Sequence, residues 1–137
     1  MTRVLMIDSN RTLAESVGRQ CLKHQIPARF AQSVCDGLQQ LLDTPVSLVL
    51  LEAGLARRSG LDVTRLFDSV APGVPVVVRV EAGDPMDEQV RYELQGFRVA
   101  REPLDVAELV AKAERPRREA ARAAGPAART YREACGQ

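Results

Sequence analysis

Three short apolar runs with no polar alternation constrain the architecture of this chain most: Val4-Leu5-Met6-Ile7, Leu48-Val49-Leu50-Leu51 and Val74 to Val78. A strand with one wet face alternates apolar and polar side chains, whereas a strand covered on both faces does not need to. These runs therefore predict parallel strands packed by helices on either side. Ala28-Arg29-Phe30-Ala31 and Arg98-Val99-Ala100 are weaker strand candidates, placed nearer the edges.

Helical stripes fall between the runs. Leu13, Val17 and Cys21 recur every four residues, and Ser33 is a candidate cap for a helix carrying Val34, Leu38, Leu41 and Leu42. Asp36 in its first turn suits the positive end of the helix dipole. Leu61, Arg65, Leu66 and Phe67 mark a third helix, after a loop that runs from Glu52 to Gly60. Asp84-Pro85-Met86-Asp87-Glu88 reads as a start signal, with Asp84 capping and Pro85 at the first helical position. Val90 and Leu94 are then expected on the buried side. Leu104, Val106, Leu109, Val110 and Ala113 form the last stripe. Five strands alternating with five helices predict an α/β fold, a doubly wound five-stranded parallel sheet with helices on both faces. In such sheets chemistry sits beyond the carboxyl ends of the strands at the switch point, which brings Asp8 beside Glu52.

Composition narrows the class. With 137 residues, 45% hydrophobic and 27% charged, the chain suits one globular domain. No apolar run reaches membrane-spanning length, and Val4–Ile7 is too short for a signal peptide. Cys21, Cys35 and Cys135 have no CxxC or Cys/His metal spacing, so free thiols in a reducing cytoplasm are expected. The lone His24 has no nucleophile beside it. Six arginines against two glutamates give the segment from Arg115 onward a charge of +4, leaving −3 on the rest. Pro116 breaks the last helical pattern, so residues 1–115 are read as the domain. Residues 116–137 are read as a basic Ala/Arg-rich tail or linker, with one short helix over 117–124 and Gln137 as a cut end. That tail lacks interleaved aromatics apart from Tyr131, which argues for a solvated linker over direct nucleic-acid or membrane contact.

Four segments in order resemble the receiver domain of bacterial response regulators: Val4-Leu5-Met6-Ile7-Asp8-Ser9-Asn10, Glu52 to Gly60-Leu61, Val74-Pro75-Val76-Val77-Val78, and Glu102-Pro103-Leu104-Asp105. The resemblance implies the flavodoxin-like strand order 2-1-3-4-5. It also implies phosphoryl transfer from a histidine kinase to an aspartate bridged by Mg²⁺. The site it implies contains paired acids after the first strand, an acceptor Asp after the third and a nearby backbone carbonyl. A hydroxyl after the fourth strand and a Lys before the Pro of the fifth complete it.

This chain departs from that pattern at most positions. Asp8 matches the first acid, but Ser9 replaces the second and Glu52 the acceptor. Gly54 still offers a carbonyl. Val80 stands at the hydroxyl position, Glu81 at a small-residue position, Glu102 at the Lys position and Val99 at a frequent aromatic one. Arg101 is a neighbouring cation. Acids a few ångströms apart repel by about 4 kcal/mol per pair at an effective dielectric near 20, so convergence of Asp8, Glu52, Glu81 and Glu102 disfavours a phosphate.

Glu52 as a permanent phosphate mimic needs a cation, which Arg79 or Arg101 supplies only by turning inward; an inert, solvated Glu52 is the simpler expectation. Asp8 and Glu52, with the Ser9 hydroxyl and Gly54 carbonyl, make only a weak Mg²⁺ set, so no cofactor is expected. Arg57 and Arg58 read as solvated loop arginines. The expected function is a degenerate receiver, not an enzyme, that binds a protein partner such as a kinase or output component, or a second copy of itself. The resemblance implies a partner face at Arg91, Gln95, Arg98, Arg101, Leu104 and Glu108, with Tyr92 and Phe97 nearby. Two other readings stay open: a receiver still phosphorylated in the presence of Mg²⁺, and a small flavodoxin-like ligand-binding protein. The latter wants a glycine-rich phosphate loop, and Asp8-Ser9-Asn10-Arg11 has no glycine.

Overall fold

The computed structural model describes residues 2–113 and 131–136. In chain order its elements are β1 (Val4–Ile7), α1 (Arg11–Lys23), β2 (Ala28–Ala31), α2 (Val34–Asp43), β3 (Leu48–Glu52), α3 (Ala53–Ser59), α4 (Val63–Val70), β4 (Val76–Arg79), α5 (Met86–Leu94), β5 (Arg98–Ala100) and α6 (Val106–Ala113). All strand pairs are parallel, in the order β2-β1-β3-β4-β5. The expected doubly wound sheet is thus present.

The uninterrupted apolar runs are explained by two cores. Leu5, Ile7, Val49, Leu51, Val76 and Val78 point to one face, where Val34, Leu38, Leu66 and Phe67 cover them. Val4, Met6, Leu48, Leu50 and Val77 point to the other, under Leu13, Val17, Val106 and Val110. Successive strand residues face opposite ways, so a sheet buried on both sides requires an apolar residue at every position. Ser33 caps α2 as expected, accepting from the Asp36 N–H at 3.1 Å. The Gln20 amide ties α1 to α6, donating to the Leu104 carbonyl and accepting from the Val106 N–H, both at 2.9 Å.

Three features differ from the sequence expectations. The segment after Glu52 is not a plain loop but α3, whose small residues Ala53, Gly54 and Ala56 are buried. On α5 the expected faces are exchanged: Val90 is 45% and Leu94 83% exposed, while Glu88 and Tyr92 are buried. Tyr92 stacks on Phe97 with ring centroids 5.9 Å apart, and Glu88 is paired with Arg57, which permits its burial. Pro85 rather than Asp84 occupies the cap position, and the Asp84 carboxylate accepts instead from Arg57 and from the Glu81 N–H.

The third difference concerns the thiols. Cys35 and Cys135 are joined in a disulfide with Cα atoms 5.6 Å apart, and only Cys21 is free. Their separation of 100 residues hid the pair, since adjacency there is a property of the fold. The helix expected over 117–124 and most of the basic tail lie outside the described residues. Residues 131–134 form a helical turn, and Tyr131, Ala134 and Cys135 pack against the first core.

Candidate functional site

Parallel pairing brings the candidate residues to one edge of the sheet. Ile7 is in register with Leu51, and Glu52 with Arg79. Asp8, Glu52 and Arg79 therefore emerge together at the carboxyl ends of three central strands, where open α/β sheets place their sites.

The centre of the site is Arg79, only 2% exposed although it carries a charge. Its Nε donates to Asp8 Oδ2 at 2.6 Å and its Nη2 to Asp8 Oδ1 at 3.0 Å, a bidentate fork. Nη1 donates to Glu81 Oε2 at 3.1 Å. Glu102 Oε2 lies 3.8 Å from Nη1, and Glu52 Oε1 lies 3.9 Å from Nη2. The four acids do converge, but on a guanidinium, so the mutual repulsion expected from the sequence is offset.

Glu52 has its own partners. Its Oε1 accepts from the Ser9 N–H at 2.8 Å and from the Ser9 hydroxyl at 2.7 Å. Its Oε2 lies 3.5 Å from Arg58 Nη2. The Asn10 N–H donates to Asp8 Oδ1 at 2.9 Å. Among the described residues no buried side-chain nitrogen or oxygen lacks a hydrogen-bond partner.

The charges follow from these contacts. Burial pushes Glu52 upward, but the Ser9 N–H and hydroxyl, together with Asp8 and the Arg79 cation, outweigh it and hold the carboxyl below its ordinary 4.5. Burial lifts Asp8 above its ordinary 3.8, against the pull of Arg79 and the Asn10 N–H. Burial disfavours the Arg79 cation, yet Asp8, Glu81 and Glu52 more than restore it and hold it above its ordinary range.

Several candidate residues are placed otherwise than expected. Arg101 does not enter the pocket; it is exposed and donates to the Gln89 side chain. Glu81 and Glu102 stand at the rim, with side chains more than half exposed. Val80 is buried, and Glu52 is neither solvated nor free. Arg57 and Arg58 are engaged as well, Arg57 with Asp84 and Glu88 and Arg58 with Glu52. On the expected partner face Arg91, Gln95, Arg98, Arg101 and Glu108 are exposed, but Leu104 is buried and belongs to the second core.

Arg79 is the residue that strand patterning conceals. The sequence offers Arg79 as a cation for Glu52 only if its side chain turns inward; it does turn inward, but its fork holds Asp8. Its position beside Glu52 in a parallel register, with Asp8 just after β1 on the far side of β3, is the signal that an acid cluster would draw it inward.

The donor set does not fit Mg²⁺. Both Asp8 oxygens are held by Arg79, Ser9 offers a neutral hydroxyl already donated to Glu52, and one Glu52 oxygen is occupied by Ser9. Gly54 lies in α3, and a helical carbonyl points along the axis rather than into a pocket. A divalent ion would have to displace a fixed guanidinium and would then meet too few anionic oxygens.

No family profile matches the chain, and no curated protein matches it by sequence. Solved structures do resemble it. A response regulator receiver domain from Clostridium thermocellum superposes with a TM-score of 0.70 at 19% identity, over 82% of this chain and 91% of that one. An orphan response regulator of H. pylori gives 0.66 at 23% identity, over 82% and 93%. A response regulator from Burkholderia pseudomallei, solved with a phosphorylated aspartic acid, a calcium ion and citrate, gives 0.70 at 17% identity, over 83% and 67%. With the sheet order, these superpositions establish that the chain has the receiver-domain fold.

Proposed function

We propose that this chain is a degenerate receiver module of two-component-type signalling, one that acts through protein partners without being phosphorylated. The observation that supports it most is the bidentate Arg79–Asp8 pair at 2.6 and 3.0 Å. A phosphorylatable site needs carboxylate oxygens free to hold a divalent cation and an acceptor carboxylate free to react. Here a covalently attached cation occupies the acids, and the carboxylate at the acceptor position is a glutamate already hydrogen-bonded to Ser9. Stabilising a phosphoryl group takes cations and donors aimed at its oxygens. Val80 and Glu102 provide neither.

The module works as a constant surface rather than a catalyst. Its partner is a protein such as a kinase or output component, or a second copy, met on the exposed face that carries Arg91, Gln95, Arg98, Arg101 and Glu108. No helix among the described residues is long and apolar enough to cross a membrane, and the cytoplasm is the compartment that suits a partner of this class.

Incubation with acetyl phosphate and Mg²⁺, read by intact mass, tests the reading. It expects no phosphoryl adduct. An adduct mapped to Glu52 or Asp8 overturns it.

A further inference from the structure

We propose that Cys35 and Cys135 form a reversible disulfide latch that holds the C-terminal segment 131–136 on α2 and frees it on reduction. The two docked segments carry matched spacing. Cys35 and Gln39 are four residues apart on α2, on one face. Cys135 and Tyr131 are four apart on the terminal helical turn, whose Cys135 N–H donates to the Tyr131 carbonyl at 2.8 Å. The two pairs meet in opposite order. Cys35 is bonded to Cys135, and the Tyr131 hydroxyl donates to Gln39 Oε1 at 3.1 Å. Two segments 100 residues apart thus dock antiparallel through two contacts at the same helical interval.

The covalent bond decides whether that docking persists. Among the described residues, what else holds the segment on the domain is one exposed hydrogen bond and three partly buried side chains, Tyr131, Ala134 and Cys135. Cross-linking residues so distant removes a large loop-closure entropy, so the bond changes the balance more than its local contacts do.

The chemistry is accessible. Cys35 and Cys135 are both partly exposed, whereas Cys21 is 1% exposed and serves as an internal control. Cys35 is the second residue of α2, where the helix N-terminus favours a thiolate. The co-reactant is a low-molecular-weight disulfide. The Cys35 thiolate attacks one of its sulfurs, expelling a thiolate and leaving a mixed disulfide. Cys135 thiolate then attacks the Cys35 sulfur and expels the second. Two electrons pass from the cysteine pair to the reagent, and the two protons go to the expelled thiols. A reducing dithiol reverses both steps. The latch is independent of the carboxylate site and stands whether or not that site accepts phosphate.

The whole chain, equilibrated with glutathione disulfide or with dithiothreitol, tests this. It is alkylated natively, mapped by peptide mass and followed by amide exchange. The oxidised form should give a linked Cys35–Cys135 peptide and no adduct on either residue. The reduced form should gain adducts on both while Cys21 stays protected. Exchange of the Cys135 and Gly136 amides, which donate to Tyr131 and Arg132 carbonyls, should speed up about tenfold or more on reduction, as local opening becomes cheap. A Cys35→Ser variant should show the fast exchange under both conditions. Absence of the linked peptide overturns the proposal. So does equal exchange in the two forms, or a bond that native dithiothreitol does not open.

Discussion

The guanidinium of Arg79 holds both carboxylate oxygens of Asp8, at 2.6 and 3.0 Å, with each side chain at most 2% exposed. A buried ion pair of this kind adds little against a well-packed apolar substitute, yet removing one partner strands the other charge. Arg79→Met should therefore cost about 3–5 kcal/mol in urea denaturation. Arg79→Met combined with Asp8→Leu should recover part of that loss. A double variant as unstable as the sum of its singles would show that the two side chains act independently.

Ser9 and Glu52 form the second pair of the site. Deleting the hydroxyl removes one of two hydrogen bonds to Glu52 Oε1, since the Ser9 N–H remains. Ser9→Ala should cost about 1 kcal/mol. A change within error in the unfolding midpoint would mean that solvent replaces the hydroxyl without loss.

Acid should reveal Glu52 by comparison with Glu52→Gln. Its carboxyl lies below its ordinary 4.5 in the fold, so below that pH the unfolded chain takes up a proton before the folded one does. The stability it contributes is present above 4.5 and is lost as the pH falls through the folded value. Asp8, raised by burial and in part by the Glu52 charge, acts in the opposite direction, and the part due to Glu52 is lost in Glu52→Gln. The melting-temperature advantage of the parent over Glu52→Gln should accordingly shrink between neutral pH and pH values below 4.5. An advantage that grows on acidification would reverse the sign of the argument.

On α5 the exposed and buried residues make a contrasting pair. Leu94→Lys, at a side chain 83% exposed, should change stability by no more than about 0.5 kcal/mol. Tyr92→Ala removes a buried ring stacked on Phe97 and should cost about 3 kcal/mol. Equal losses from the two would place Leu94 in the core.

These contrasts show which features were legible from the amino acids alone. Strand runs covered on both faces leave a direct trace, so the parallel sheet and the meeting of Asp8 with Glu52 followed from the pattern, while the strand order came from the resemblance to receiver domains. The face of α5 did not, because Val90 and Leu94 are apolar without being buried, and Glu88 is buried because Arg57 reaches it. The helix α3 carries alanines and a glycine on its inner face, too small to make an apolar stripe. The inward turn of Arg79 depends on acids from three other segments, and the Cys35–Cys135 bond on a contact across 100 residues. Such pairings are set by tertiary structure and leave no local period.

The most direct test of the fixed-cation account is an amide NMR titration, first with Mg²⁺ and then with added beryllofluoride. If Arg79 occupies the acids and Glu52 is held by Ser9, the amides of Asp8, Ser9, Glu52, Arg79 and Val80 should not shift with either reagent. Saturable shifts at those residues on adding beryllofluoride would mean that the guanidinium yields to metal and phosphoryl group, and the account would be wrong.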